Sequence, residues 1–347
     1  MQHAAFVDPE TGAPTTPVRV PADQPPTLLV VVDTEEEFDW EADFDRNATS
    51  VEAMRHVHLG QEVFDEAGVQ PAYLVDFPVA SQATGFAPIK EFVDSGRAVV
   101  GAHLHPWVSP PFDEEVNRRH SFAGNLSAAL ERAKLERLID QIEDSFGERP
   151  VIYKAGRYGI GPNTAGILED LGFEVDLSAC PAFDFSAEGG PDYSRFSSDP
   201  YWFGEKRSLL GLPATGAFVG RLQRRAHRWH HWATRPRLRW ARLPGILARL
   251  GLIDRLHLSP EGFDFSDLRR LTKFLLARGV RVFTLSFHSP TLDPGRTPYA
   301  RSQAELKDFL DVLRRYLGYF LGELEGTSMT PLEIKQHLES ISGVSSK

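Results

Sequence analysis

The sequence predicts an α/β fold, with parallel strands in a sheet or barrel alternating with helices. Three observations carry this. Short apolar runs of strand length recur along the 347 residues, segments with helical apolar spacing separate them, and several runs end in residues suited to chemistry rather than in plain turns. Strands covered on both faces read as continuous apolar runs, and strands alternating with helices point to βαβ units.

In chain order, the first 26 residues hold six prolines and few large apolar groups, which predicts a loose tail. The first strand is expected near 27–33, where Leu28, Leu29, Val30, Val31 and Val32 run straight into Asp33. Eight acids then fall between Asp33 and Asp45, Glu35 among them. A helix is expected near 51–67, a strand near 70–76 and a helix near 87–95. The strand near 97–103 ends in His103-Leu104-His105-Pro106-Trp107. The helix near 127–146 starts at Asn125 or Ser127 and carries a stripe of Leu130, Ala133, Leu135, Leu138, Ile139 and Ile142. The strand near 150–154 delivers Lys154 and Arg157 into the loop Gly156-Arg157-Tyr158-Gly159.

Further on, a helix near 163–171 and strands near 173–177 and 208–213 are expected. Between them, Phe183 to Tyr201 lacks periodicity and is too long for a plain connector, so it reads as a loop over the site. Helices near 236–250 and 266–278 precede the strand near 280–287, which ends in Phe287-His288-Ser289-Pro290. Helices near 303–322 and 330–340 follow. The expected organisation is a tail (1–26), one domain over 27–325 with insertions at about 181–207 and 214–255, and a C-terminal helix and tail over 326–347.

In α/β folds the carboxyl ends of strands hold the chemistry. Four such ends here carry acids, a histidine pair, an arginine and a histidine, in that order. In extended chain, residues i and i+2 point to one side, so His103 and His105 can offer two imidazoles to one cation. Two histidines and a carboxylate form the ligand set of many catalytic metal sites with open positions for water. A neutral imidazole at His288 suits acid or base work near neutral pH. His257, in Leu256-His257-Leu258-Ser259-Pro260, also ends a short apolar run and is a second candidate for that role.

This order of motifs resembles the polysaccharide deacetylases, the NodB-homology group of carbohydrate esterases, over roughly residues 27 to 320. More narrowly, it is similar to a branch whose first motif is Asp-x-Glu rather than Asp-Asp-Gly. The segments His103-Leu104-His105-Pro106-Trp107, Gly156-Arg157-Tyr158-Gly159 and Phe287-His288-Ser289-Pro290 carry the likeness. The histidine spacing is His-x-His where the family's usual pattern is His-x-x-x-His. The resemblance implies a distorted (β/α)7-type barrel and metal-dependent removal of an acetyl group from an N- or O-acetylated sugar or glycan. On that footing Glu35, His103 and His105 hold a divalent metal, most plausibly Zn2+, with Co2+, Ni2+ or Fe2+ also suited to such donors. Asp33 then serves as general base, Arg157 holds Asp33 ionised, and His288 is the acid. Asp33 and Glu35 can exchange roles. Two other readings stay open: an amidohydrolase acting on a small non-sugar amide, and a non-catalytic carbohydrate-binding protein.

Composition frames these readings. The 38 basic and 48 acidic residues give a net charge of −10. Eleven of the basic residues lie in 206–253, a stretch without acids that also holds Trp229, Trp232 and Trp240. Arginine interleaved with tryptophan predicts peripheral contact with an anionic membrane or glycolipid through 221–249. The acidic remainder and the lack of a nucleic-acid motif argue against nucleic acid. The single cysteine, Cys180, allows no internal disulfide, and Met1–Pro26 shows no secretory leader pattern, so a cytoplasmic enzyme is expected, placed by the basic segment at the inner membrane face. The sequence does not fix an oligomeric state.

Overall fold

In a computed structural model, the structure describes residues 6–7, 14–18, 20–38, 42–220, 222 and 252–342. The strands are β1 (Phe6–Val7), β2 (Pro14–Pro17), β3 (Thr27–Thr34), β4 (Ala72–Val75), β5 (Val99–Leu104), β6 (Ile152–Ala155), β7 (Val175–Asp176), β8 (Tyr201–Phe203), β9 (Leu209–Gly211), β10 (Gly216–Val219), β11 (Asp254–His257), β12 (Val282–His288) and β13 (Thr327–Ser328). The principal helices are α1 (His58–Ala67), α2 (Phe77–Ser81), α3 (Ala83–Asp94), α4 (Ala128–Phe146), α5 (Thr164–Leu171), α6 (Phe265–Leu276), α7 (Gln303–Gly318) and α8 (Pro331–Ser342).

Along the path β12-β3-β4-β5-β6-β7-β9 every neighbouring pair is parallel. β8 adds antiparallel to β9, and among the described residues β10 pairs only with β11. The two ends of the path are bridged without a regular ladder. Residues just past β9 bond to both sides: the Ala214 amide donates to Ala179 O at 2.9 Å and the Thr215 amide to Thr284 O at 3.3 Å. The Ser286 amide donates to Leu258 O at 3.1 Å. The result is the distorted barrel the sequence predicts.

The central strand β3 is buried along its whole length, because its alternate side chains enter two apolar clusters. Leu28, Val30 and Val32 pack with the surrounding helices. Leu29 and Val31 point to the other face, with Leu74, Ile152, Val175, Leu210 and Val282 from neighbouring strands. Each such side chain contributes roughly 1.5–3 kcal/mol on burial. The inner cluster is closed at the amino ends of the strands by α8. β13 pairs with Thr27 and Leu28 at the start of β3, Ile334 and Leu338 join the inner cluster, and Lys335 pairs with Glu174 just before β7 at 3.0 Å. Asp33 follows Leu29 and Val31 on the inner face, so the strand that builds the core also lifts a carboxylate to its open end.

Some elements differ from expectation. Residues 14–18 are not a loose tail: β2 pairs antiparallel with β8, Thr16 opposite Trp202, and the Val18 amide donates to Pro200 O at 2.8 Å. Proline is tolerated there because Pro14 and Pro17 are the first and last residues of β2, where a missing N–H disturbs the ladder least. The helix expected over 51–67 is a short 3-10 turn (Glu52–His56) followed by α1, and the one near 87–95 begins earlier, as α2 and α3. The Asp76 side chain caps α2, accepting from the Val79 amide at 2.8 Å, the role its residue type favours. The helix expected over 236–250 and the basic segment 221–249 lie outside the described residues. Among the described residues, no helix is long and apolar enough to cross a membrane.

Glu131, fully buried on α4, accepts a hydrogen bond from Thr164 at the start of α5, while its Oε2 finds no partner among the described residues. Burial pushes its carboxyl up to about 7. A carboxyl raised in the folded state releases its proton first in the unfolded chain, so stability falls as pH rises from about 4.5 to about 7. Glu131→Gln should therefore leave stability little changed at pH 4 and raise it at pH 8, by on the order of 3 kcal/mol. Urea unfolding at the two pH values measures this, and an equal effect at both would show that Glu131 does not titrate in the native state.

Candidate active site

The carboxyl ends of β3, β5, β6 and β12 open onto one cavity of about 570 Å³. Strand register sets the levels. His288 lies opposite Asp33, and His103 opposite Lys154. Asp33, Glu35, His103, His105, Arg157 and His288, the residues singled out in the sequence, all line this cavity, as does His257.

Glu35, His103 and His105 are buried, and their donor atoms converge. Glu35 Oε2 lies 3.6 Å from His103 Nε2 and 3.4 Å from His105 Nε2. The opposite ring nitrogens fix the tautomers. His103 Nδ1 lies 3.1 Å from the Lys154 carbonyl, which can only accept, so Nδ1 carries the hydrogen and Nε2 presents a lone pair. His105 Nδ1 is held by Glu36 Oε2 at 2.8 Å. Burial pulls both imidazoles down, His105 to about 4, so both are neutral near pH 7. Glu35 Oε1 is buried with no hydrogen-bond partner among the described residues. An orphaned carboxylate oxygen beside two oriented lone pairs fits a divalent cation and little else, and a carboxylate behind a ligating histidine is the usual support for one. Glu36, Asp76 and His105 also gather donor atoms, but hydrogen bonds already occupy them.

Those bonds form a second layer. Glu36 accepts from Trp107 Nε1 at 2.8 Å as well as from His105, and its amide donates to Asp76 Oδ2 at 2.8 Å. The His105 ring stacks on Trp107 with centroids 4.2 Å apart. Burial raises Glu36 to about 7 and Asp76 well above the carboxylate range. Gly156 lies against the other side of His105, where a Cβ would collide with the ring.

Asp33 is a different kind of carboxylate. Lys154 Nζ sits 2.6 Å from one oxygen and 2.7 Å from the other. Burial alone would raise Asp33, but the Lys154 ammonium above all, with His103 and His288 beside it, outweighs this and holds the carboxyl down at about 2. His288 Nε2 lies 3.8 Å from Asp33, and its Nδ1 is 2.7 Å from Glu261 Oε2. Burial works against its charge, yet Glu261, Glu35 and Asp33 push it up to about 10, so His288 is cationic at neutral pH.

Arg157 does not hold Asp33. Its guanidinium pairs with Glu188, donates to Ser121 Oγ at 2.6 Å and lies over the Phe122 ring at 4.2 Å. The cation on Asp33 is Lys154, because Lys154 is within β6 and points inward with His103, whereas Arg157 lies past the strand end in a left-handed turn (φ 55°). His257 packs edge-on to Phe183 with centroids 5.6 Å apart, and burial pulls it down to about 3. Phe183, Phe185 and Glu188 line the cavity, so the 183–201 loop does cover the site. Sequence reasoning missed the supporting roles of Glu36, Asp76 and Glu261. Glu36 stood within the acidic run, and Asp76 was the last residue of the strand expected near 70–76; Glu261 carried no local signal.

No protein-family model matches the chain, and no curated protein is detectably similar to it in sequence. Solved structures do match. One is a protein of Mycobacterium smegmatis described as a polysaccharide deacetylase, 16% identical over 94% of this chain and 95% of that one, with a TM-score of 0.54. A second, from Pseudomonas aeruginosa PAO1 and described likewise, is 17% identical over 90% and 91%, at 0.53. The allantoinase Puue is 15% identical over 90% of each chain, at 0.52. At such identities the likeness is one of fold: the chain has the NodB-type fold of the polysaccharide deacetylases.

Removing the charge beside Asp33 should show in two measurements. In Lys154→Met the Asp33 carboxyl rises from about 2, so any activity that needs it ionised loses its acid limb at a higher pH. The stranded buried carboxylate should also cost about 3–5 kcal/mol of stability at pH 7. Lys154→Arg, which keeps the charge, should shift the limb less. An acid limb that stays in place in Lys154→Met would remove Asp33 from the mechanism.

Proposed function

We propose that this protein is a metal-dependent hydrolase that removes an acetyl group from an N- or O-acetylated sugar or glycan. One observation carries the reading: two tautomer-locked imidazole lone pairs and an orphaned carboxylate oxygen converge beside an ionised carboxylate and a cationic histidine. A binding module would need neither the ion-paired Asp33 nor the Glu261-supported His288.

Glu35, His103 and His105 would hold the cation, and zinc suits two neutral imidazoles and a carboxylate. Bound there, a divalent cation would acidify water and polarise the acyl carbonyl. Asp33, kept ionised by Lys154, accepts the proton that the attacking water loses as its oxygen bonds to the acyl carbon. A carboxylate near pKa 2 is a weak base by itself, so this transfer belongs with a water already made acidic. His288 faces Asp33 and gives a proton to the departing nitrogen or oxygen as the acyl bond breaks, leaving acetate and the free amine or alcohol. Glu261 keeps that proton in place until then, and the Phe183–Phe185 wall restricts water.

A second reading, hydrolysis of a small non-sugar amide, is favoured by the modest cavity beneath the aromatic loop and by the likeness to an allantoinase. Acetate release from chitin oligomers, set against ammonia or acid release from small amides, separates the two.

The purified protein should carry close to one divalent metal per chain, and His103→Ala and His105→Ala should each lose it by elemental analysis. Asp33→Asn should keep the metal and lose about 10²–10⁴-fold in turnover. Loss of metal in Asp33→Asn with retention in Glu35→Gln would exchange the two roles.

Replacing the acid should discriminate by leaving group. His288→Gln should depress turnover of amides and alkyl esters far more than that of activated aryl esters, whose leaving groups depart unprotonated. Equal losses on both would make His288 structural, and the same pattern appearing in His257→Gln instead would move the acid to β11.

A further inference from the structure

The part of the cavity wall formed by β11 carries charge that the reaction above does not use. On β11, Arg255 and His257 alternate with the buried Leu256, so both face the cavity. The Arg255 guanidinium lies 4.0 Å over the Phe183 ring. It makes no ion pair or hydrogen bond with any described residue. His257, only 9% exposed, has an Nε2 without a partner among the described residues. Apart from Glu35, which faces the cation position, the acids lining the cavity are matched in pairs: Asp33 with Lys154, Glu188 with Arg157, Glu261 with His288. What remains positive is Arg255 on the inner wall and Arg118, which is exposed.

Arg255 is half-buried, and a guanidinium held partly out of water without a counter-charge is costly. Its planar fork matches a carboxylate or phosphate, and stacking on an aromatic face fixes its plane. A neutral acetylated sugar would leave both Arg255 and the His257 nitrogen unsatisfied. We propose that the cavity takes an acetylated substrate that also bears an anionic group, a carboxylate or a phosphate, and that Arg255, with His257 beside it, binds that group. This rests on the acetyl-hydrolase reading for what lies at the other end of the substrate. The Tyr158, Phe185 and Phe183 rings stack in sequence from the strand end to Arg255, with centroids 5.6 and 6.0 Å apart. They form one apolar side along which a sugar ring would lie between the two ends.

Three probes test this on the full-length metal-loaded protein: N-acetylglucosamine, which is neutral; N-acetylmuramic acid, which adds a carboxylate; and N-acetylglucosamine 6-phosphate. Calorimetric titration at low salt should show at least one acidic sugar binding about 10- to 100-fold tighter than the neutral one, and which one distinguishes carboxylate from phosphate. The preference should shrink as salt is added. Arg255→Gln should bring the ratio toward one, and Arg255→Lys should keep part of it. Equal affinity for all three probes in the wild type, or no binding of either acid, overturns the proposal. So does a preference that survives in folded Arg255→Gln, or one lost only in Arg118→Gln. If Arg255→Gln does not fold, the wild-type ratio, its salt dependence and Arg255→Lys decide. Arg255-dependent binding without acetate release would leave this inference standing and remove the acetyl-hydrolase reading. Acetate release with no acidic preference would do the reverse.

Discussion

The buried ion pair between Asp33 and Lys154 spans the mouth of the barrel. β3 and β6 are not neighbours: β4 and β5 lie between them, so the pair crosses the interior rather than running along a ladder. Removing both charges from water is expensive, and their attraction offsets this only when the geometry is good. Here the ammonium touches both carboxylate oxygens. The pair therefore constrains the curvature of the strands and the charge state of Asp33 together, and His288 takes its position relative to that fixed carboxylate.

Around this pair the site is built as two layers. The inner layer presents the unpartnered Glu35 Oε1 and, beside it, the Nε2 lone pairs of His103 and His105. The outer layer contains atoms whose bonds are made, namely the Lys154 carbonyl, Glu36, Asp76 and Trp107. Four strands converge in it, since Glu36 follows β3, Asp76 joins β4 to α2, Trp107 follows β5 and Lys154 lies in β6. Its hydrogen bonds decide which nitrogen of each imidazole is free. Buried polar groups that are fully paired rigidify a site, and those left open mark where a ligand belongs. The same criterion applied to β11 singles out Arg255 and His257.

The loop over 183–201 links the two regions. Phe185 stacks on Tyr158, whose backbone is held in a left-handed conformation (φ 59°) together with Arg157. Such strain costs of order 1–3 kcal/mol per residue and persists where the surroundings enforce it. Arg157 is enforced from several sides, by Glu188 of the loop, by Ser121 and by the Phe122 ring. Its position fastens the loop to the strand end, which is a structural task different from holding a catalytic carboxylate.

Much of this was determined by the sequence alone. Alternation of apolar runs and amphipathic segments fixed the α/β class, because a strand covered on both faces and a helix covered on one leave different periodicities. Asp33, Glu35, His103, His105 and His288 were legible because each ends an apolar run, and chain direction then places them at one end of a parallel array. Tertiary structure alone decided the partners. Lys154 rather than Arg157 meets Asp33, since contacts across a barrel depend on strand register and inward alternation, which no local pattern encodes. The roles of Glu36, Asp76 and Glu261 are likewise products of packing: an acid in a solvated run and an acid buried behind a histidine have the same sequence, and only the fold sets their dielectric surroundings. The docking of Pro14–Pro17 on β8 follows the same rule, because a short proline-bearing strand is defined by the neighbours it finds and not by its own residues.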